Sequence, residues 1–361
     1  MGGASRGAVQ TSEVSRDFGN LIVVAPKYNN ECEIPYAIIL AAMNFLVTGA
    51  AGFLGAALAN RLAQDSHSVR GLDDLSAGDP ARLSPLVLFT RGDVNDRPKL
   101  WTLLQGVECV YHLAARVSVP ESVLYPREYN AVNVGGTVSV MEAMRDAGVR
   151  RVVFVSSGAV YGEQSVQPLH EGLVPNPRSP YAVSKLAAEF YVRTIGALWG
   201  IETVALRVFN AYGPGQPLPA AHAPVIPRFL KHAFTGASLV VYGDGSQSRD
   251  YIYLDDVVEA LAAASTAQDV DRRVINVGSG TENNVRELVA LMSTVTGRQI
   301  EALYSKGEDG GVSRMRADIT LAAQKLNFHP RISLADGLRL TLERDPRFQA
   351  IAQTYVTKAA S

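Results

Sequence analysis

Phe45-Leu46-Val47-Thr48-Gly49-Ala50-Ala51-Gly52-Phe53-Leu54-Gly55 is the stretch whose reading decides the fold. A short buried-strand run passes directly into a glycine turn. A helical pattern follows, with Leu58, Leu62 and Ala63 on its inward face. Strand, glycine turn and helix in this order make the phosphate-binding unit of a Rossmann-type α/β fold. Gly49 permits the tight turn, Gly52 lets the backbone approach a pyrophosphate, and Gly55 lets the helix pack close to the sheet. The helix start at Phe53 and Leu54 brings free N–H groups and a partial positive charge to the phosphates. The spacing is G-x-x-G-x-x-G, not the commoner G-x-G-x-x-G.

Outward from this turn the doubly wound pattern continues. Ser68-Val69-Arg70-Gly71-Leu72 reads as the second strand and ends at Asp73-Asp74, the distance expected for the acid that binds the adenosine ribose. A carboxylate there accepts both ribose hydroxyls and repels a 2′-phosphate, and no arginine follows to reverse that preference. NAD is therefore expected in place of NADP. Gly92-Asp93-Val94 closes a further strand, where Asp93 either meets the adenine or caps a helix. Val110 to Ala115 reads as a fourth strand, and Leu113, Ala114 and Ala115 are small enough at its end for close cofactor approach. His112 lies within that apolar run and is read as a buried structural histidine. Asn133 opens the next long helix and either caps it or reaches the cofactor pocket.

The bulk properties narrow the class. Formal net charge is −1, without a basic run, so nucleic acid and anionic membrane surfaces are not expected partners. The two cysteines, Cys32 and Cys109, have no partner spacing, which argues against a disulfide framework or a metal site and for a reducing, cytoplasmic setting. No apolar run approaches the ~20 residues of a spanning helix. Residues 1–42 carry no signal-peptide pattern and are expected to be a dispensable extension, since the core strand begins after Met43. The alternative is a short packed segment around Tyr36-Ala37-Ile38-Ile39-Leu40. Residues 43–210 are expected to bind the dinucleotide, with 239–276 in part joining that domain. Residues 211–345 form an interleaved substrate lobe, and 346–361 a tail.

Chemistry enters at Tyr181 and Lys185, one turn apart on a helix that opens at Pro180. A free phenol has a pKa of roughly 10. One positive charge about 4 Å away, at an effective dielectric near 20, favours phenolate by about 4 kcal/mol. That corresponds to about three pH units and predicts an acid/base poised near neutrality. Arg151-Val152-Val153-Phe154-Val155 is a β-branched run ending at Ser156-Ser157, which puts the Ser157 hydroxyl at the ligand end of a central strand.

With these segments in order, the chain resembles the extended short-chain dehydrogenase/reductases, in particular the NAD-dependent nucleotide-sugar epimerase/dehydratase group. The matching motifs run from Val47-Thr48-Gly49 through His112-Leu113-Ala114-Ala115, Ser156-Ser157, Tyr181 and Lys185. They continue to Leu206-Arg207-Val208-Phe209-Asn210, Gly243-Asp244-Gly245, Arg249-Asp250-Tyr251, Asn276-Val277-Gly278 and Ala317-Asp318. The resemblance implies a catalytic group of Ser157, Tyr181 and Lys185, with the last two also touching NAD. It further implies sugar or phosphate contacts from Asn210, backbone contacts from Val225, a diphosphate contact from Arg249 and a sugar-nucleotide contact from Tyr251. Arg249 has the alternative of an ion pair with Asp250. A homodimer through helices near Val134–Met144 and Tyr181–Thr194 is implied as well.

Departures from the group's pattern sharpen the reading. Gly158-Ala159 stands where dehydrating members carry an Asp-Glu pair, so neither side chain can move a proton. The usual phosphate arginine before Ala317-Asp318 is missing, and Arg314 or Lys306 is expected to replace it. Met315 occupies the position where epimerases of this group usually place a tyrosine beside the hexose; it either lines the sugar pocket, admitting N-acetylated sugars, or fills core space. The expected activity is C4 epimerisation of a UDP-hexose through a transient 4-keto sugar. The alternatives are a net 4-ketoreductase or dehydrogenase and, more remotely, a non-catalytic dinucleotide sensor.

Overall fold

The computed structural model describes residues 42–219, 221–305 and 311–351, with the backbone of two short strands, Leu21–Ile22 and Ile39–Leu40, which pair antiparallel. The expectation for 1–42 otherwise falls almost wholly outside the described residues, as do Lys306 and the tail beyond residue 351.

Seven strands build the central sheet: β1 (Asn44–Thr48), β2 (Ser68–Asp73), β3 (Leu88–Arg91), β4 (Cys109–His112), β5 (Arg151–Ser157), β6 (Glu202–Val208) and β7 (Arg273–Val277). Their order is β3-β2-β1-β4-β5-β6-β7 and every pairing is parallel. The first six follow the doubly wound order, which reverses between β1 and β4 and opens a crevice at their carboxyl ends. Continuous apolar runs form the inner strands because helices cover both faces.

On one face, α3 (Gly136–Ala147) and α4 (Pro180–Trp199) bury Val140, Met141, Met144, Ala188 and Val192 against Leu46, Val110, Val152 and Phe154. Helix α4 starts where it does because the Ser179 side chain accepts from Ala182 N and Pro180 occupies the first turn; it stops at Gly200, in the left-handed region. The other face carries α1 (Phe53–Gln64) and, later in the chain, α6 (Leu254–Ala264), which Arg61 and Glu259 join by an ion pair.

Residues 254–277 therefore return to the dinucleotide domain, with β7 as an edge strand of its sheet. Leu239–Tyr242 does not; it pairs parallel with Ala302–Ser305. That small sheet, α5 (Val225–Thr235) and the helix Val285–Thr296 enclose a second core of Ile226, Phe229, Leu239, Leu288 and Met292. The described residues from Asn44 onward form one compact unit. No helix among them is long and apolar enough to cross a membrane, and no group of potential metal ligands occurs among them.

Candidate active site

The glycine turn fits its reading. Gly49 has φ +70°, and a Cβ on it would lie 2.7 Å from Ala114 N, so only glycine lets the ends of β1 and β4 meet this closely. A Cβ on Gly55 would lie 1.9 Å from Gly49 O, which fixes how tightly α1 approaches the turn. Gly52 stands before α1, and the first-turn N–H groups from Phe53 to Gly55 have no intrahelical acceptor.

Asp73 ends β2 nearly buried, with Oδ2 accepting from Ala51 N (3.0 Å) and Oδ1 from Leu75 N (2.8 Å). Burial pushes its pKa up, and these backbone donors oppose that rise. Each oxygen keeps accepting capacity for a ribose hydroxyl. Glycine turn, helix start and carboxylate thus fit a dinucleotide, and Leu113 and Ala115, half-buried just beyond β4, flank the same crevice.

Neither Asp93 nor Asn133 caps a helix near this crevice. Asp93 is exposed and does not cap α2 (Arg97–Leu104). Asp96 does so, accepting from Lys99 N, whereas Asp93 Oδ1 takes the Asn95 N–H at 2.8 Å. Val94 is buried, pressed against Gly136. Asn133 makes no side-chain cap, and its amide makes three hydrogen bonds. Its Oδ1 accepts from Arg116 N (2.8 Å), while Nδ2 donates to Arg116 O (3.0 Å) and Ser184 Oγ (2.9 Å). It pins the loop after β4 to α4. His112 is buried as read, and burial, with the Lys185 charge adding, pushes its pKa down to about 3.

Ser157 closes β5. Its Oγ accepts from Ala159 N (3.2 Å), and its hydroxyl lies near enough to the Tyr181 phenol in the first turn of α4 to favour the phenolate. Tyr181 is buried, edge-on to Tyr129. One turn on, Lys185 is 3% exposed, with Nζ 4.6 Å from the centre of the Phe154 ring.

The expectation that Lys185 brings Tyr181 near neutrality is not met in this arrangement. Burial pushes the Tyr181 pKa up, and the opposing pull comes from Ser157. Burial also pushes Lys185 down to about 7, resisted by Glu189. Spacing alone predicts attraction between the two groups, but burial removes both from water, and that cost opposes charge on each. Glu189 cannot neutralise Lys185 fully, because its carboxylate accepts from Ser156 Oγ and from Arg207 Nε and Nη2 in a buried network. This network had a signal in the sequence, since Glu189 lies one turn beyond Lys185, but the partner Arg207 sits on a different strand.

On the substrate side, Asn210–Tyr212 pairs parallel with Tyr251–Tyr253 in the register Asn210 opposite Tyr251, which places an exposed amide beside a buried phenol. Arg249 does not pair with Asp250. It donates from Nη1 to Ser248 O (2.7 Å), while the Asp250 carboxylate accepts from Ser279 N and Oγ, Gly280 N and Ala317 N. Asp250, whose role the sequence reading missed, thereby gathers three chain segments. Val225 begins α5, where its N–H has no intrahelical acceptor.

Arg314 and Met315 have partners within the chain. Arg314 forms an ion pair with the Glu282 carboxylate, with its own side chain about half exposed. Met315 is 7% exposed and belongs to the cluster of Val160, Tyr161, Leu169 and Phe209, so it fills core space here.

The carboxyl edge of one parallel sheet thus carries the glycine turn, the Asp73 carboxylate and Ser157, with Tyr181 and Lys185 on the helix beside it. That combination defines a dinucleotide-binding α/β protein equipped for proton transfer. The chain belongs to the NAD dependent epimerase/dehydratase family, whose model matches residues 45–278. Its cofactor is NAD.

The chain is 39% identical over 308 residues to a UDP-glucose 4-epimerase of Mycolicibacterium smegmatis, covering 83% of this chain and 98% of that protein. Among solved structures it is similar to a Thermotoga maritima UDP-glucose 4-epimerase with UDP-glucose (TM-score 0.80, 34% identity, 88% of this chain and 100% of that one). It is also similar to a UDP-N-acetylglucosamine 4-epimerase of Methanobrevibacter ruminantium in complex with UDP-N-acetylmuramic acid (TM-score 0.79, 34% identity, 84% and 97%).

Proposed function

We propose that this protein is a nucleotide-sugar 4-epimerase acting on a UDP-hexose of the UDP-glucose/UDP-galactose type. The observation that carries this reading is the placement of Ser157 at a strand end beside Tyr181, with Lys185 one turn on, at the sheet edge that bears the dinucleotide turn. The 4-epimerase relatives support it, and their differing sugars leave the hexose to experiment.

When bound, NAD supplies reversible two-electron oxidation of a carbinol carbon and a cationic ring that favours the Tyr181 phenolate. Tyr181 takes the C4 hydroxyl proton onto its phenolic oxygen as C4 becomes a ketone. Ser157 donates a hydrogen bond to the carbonyl oxygen, and Lys185 holds a ribose hydroxyl of the cofactor. After the sugar turns over, Tyr181 returns its proton to the oxygen on the inverted carbon. Asn210, Val225, Arg249 and Tyr251 hold the sugar nucleotide. Gly158 and Ala159 offer no acid or base to expel water, so the 4-keto sugar keeps its C6 hydroxyl.

Exposed apolar residues on α4, among them Val183, Phe190, Tyr191 and Leu198, support a homodimer through this helix and α3.

The test is incubation of purified protein with NAD and a panel of UDP-sugars, followed by chromatography and mass measurement. The expected product is an isomer of unchanged mass without net NADH formation. A product lighter by one water, or stoichiometric conversion of the dinucleotide, would refute the reading. Turnover of N-acetylated sugars alone would shift the substrate assignment.

A further inference from the structure

Thr48, His112 and Thr137 are buried polar groups that the proposed chemistry does not use, and they touch one another in sequence. Thr48 Oγ1 lies 2.7 Å from His112 Nδ1, and His112 Nε2 lies 2.9 Å from Thr137 Oγ1. The direction of each bond follows from its neighbours. Thr137 donates its hydroxyl proton to the Asn133 carbonyl at 2.6 Å, so it can only accept from His112, and the ring proton sits on Nε2. A neutral ring then has a bare Nδ1, which accepts from the Thr48 hydroxyl, and Thr48 Oγ1 accepts in turn from Ala114 N (3.3 Å). Beyond Asn133 the side-chain amide donates to Ser184 Oγ, which donates to Tyr181 O at 2.8 Å.

We infer that His112 is a positioning residue: carrying its proton on Nε2, it closes a one-way hydrogen-bond chain that couples the cofactor crevice at Ala114 to the main chain of Tyr181. One end is the segment against which Gly49 packs, and the other is the first turn of α4. The donors point the same way from Ala114 N to the Asn133 carbonyl, so each of those bonds polarises the next, and the Asn133 residue then passes the constraint to Ser184 by position. The Phe154 ring lies 5.8 Å from the imidazole, and burial together with the Lys185 charge from α4 disfavours a second ring proton. Dinucleotide binding that fixes the β1 and β4 ends thereby also fixes the backbone that carries the phenol.

The coupling rests on Tyr181 as the acid/base of the proposed reaction, but its tests need no sugar. Nitrogen-15 NMR of the wild-type histidine ring should show a protonated Nε2 and a bare Nδ1; a protonated Nδ1 or an averaged tautomer overturns the inference without any variant. In hydrogen exchange, NAD should slow the amides of residues 181–187 by roughly tenfold in the wild type. Thr137→Val, which keeps shape and removes the hydroxyl, should bind NAD but lose that slowing, and Thr137→Ser should restore it. Retained slowing in Thr137→Val overturns the coupling. If Thr137→Val does not fold, Thr48→Val against Thr48→Ser gives the same comparison.

Once a substrate is in hand, Thr137→Val should lower kcat about tenfold with KM within about twofold. An equal rise in KM would show a structural lesion and overturn the positioning role.

Discussion

Replacing Lys185 by methionine should stabilise the cofactor-free protein while abolishing turnover. The Lys185 ammonium is 3% exposed, and burial lowers its pKa from 10.5 to about 7. At neutral pH the unfolded chain holds this proton and the folded chain half releases it, which corresponds to about 4 kcal/mol lost from stability. Methionine has similar length and no charge. Allowing for imperfect packing, the variant should gain about 2–4 kcal/mol, or roughly 4–10 °C in Tm. The sign with pH follows from linkage: the folded pKa lies below the unfolded one, so the penalty is complete below about pH 7 and fades as pH rises toward 10.5. Thermal melts of NAD-stripped wild type and variant at pH 6.5 and 9.5 should therefore show a gap that narrows at the higher pH. With saturating NAD the gap should shrink or reverse, because only lysine gains partners from the cofactor. A variant less stable than wild type at pH 6.5, or a gap independent of pH, would refute the reasoning.

Tyr181→Phe should keep NAD binding and lose turnover by the ~10²–10⁴-fold typical of a missing acid/base, measured by isomer formation; near-normal turnover would remove Tyr181 from the chemistry. Asp73→Ser should weaken NAD and narrow its preference over NADP in a binding titration, since the carboxylate both accepts ribose hydroxyls and repels a 2′-phosphate; an unchanged preference would count against Asp73 as the ribose acid. Light scattering at micromolar concentration should give a dimer mass, and Leu198→Glu on the exposed side of α4 should shift it toward monomer; a monomeric wild type would contradict the proposed interface.

What was legible in the sequence was mostly local. Glycines at 49, 52 and 55 after an apolar strand specify a turn whose geometry has few solutions, and the strand sequence from Asn44 to Val208 then follows the doubly wound order. Tyr181 and Lys185 needed only helical spacing. Long-range partners were not legible. The cap of α2 falls to Asp96, three residues past Asp93, because the turn between them is set by Asn95. Arg314 turns to Glu282 and Asp250 to Ser279, Gly280 and Ala317, pairings across tens of residues that no periodicity encodes. The second core mixes residues 212 to 348, so the return of β7 to the first sheet could not be read from its own five residues.

The Tyr181–Lys185 pair shows where a local reading stops. Spacing gives proximity, but a pKa depends on what surrounds the pair, and here Phe154, Tyr129 and the packed face of α4 remove water from both groups. Two buried groups that each resist charge gain most from a third that brings charge with it. An oxidised nicotinamide does so, and its ribose offers hydroxyl acceptors to an ammonium whose nearest carboxylate, Glu189, is already held by Arg207 and Ser156. The ligand-free site is therefore strained toward neutrality, and cofactor binding relieves that strain. This predicts that the group titrating with activity should differ from the group titrating in the stripped protein. A pH profile of NAD affinity should accordingly show protonation of Lys185 favouring binding, with affinity falling as pH rises above about 7, its pKa in the stripped protein, and levelling off past its higher pKa in the complex. Affinity that rises with pH through this range would mean that Lys185 binds the cofactor uncharged, and the account of the pair would have to be redrawn.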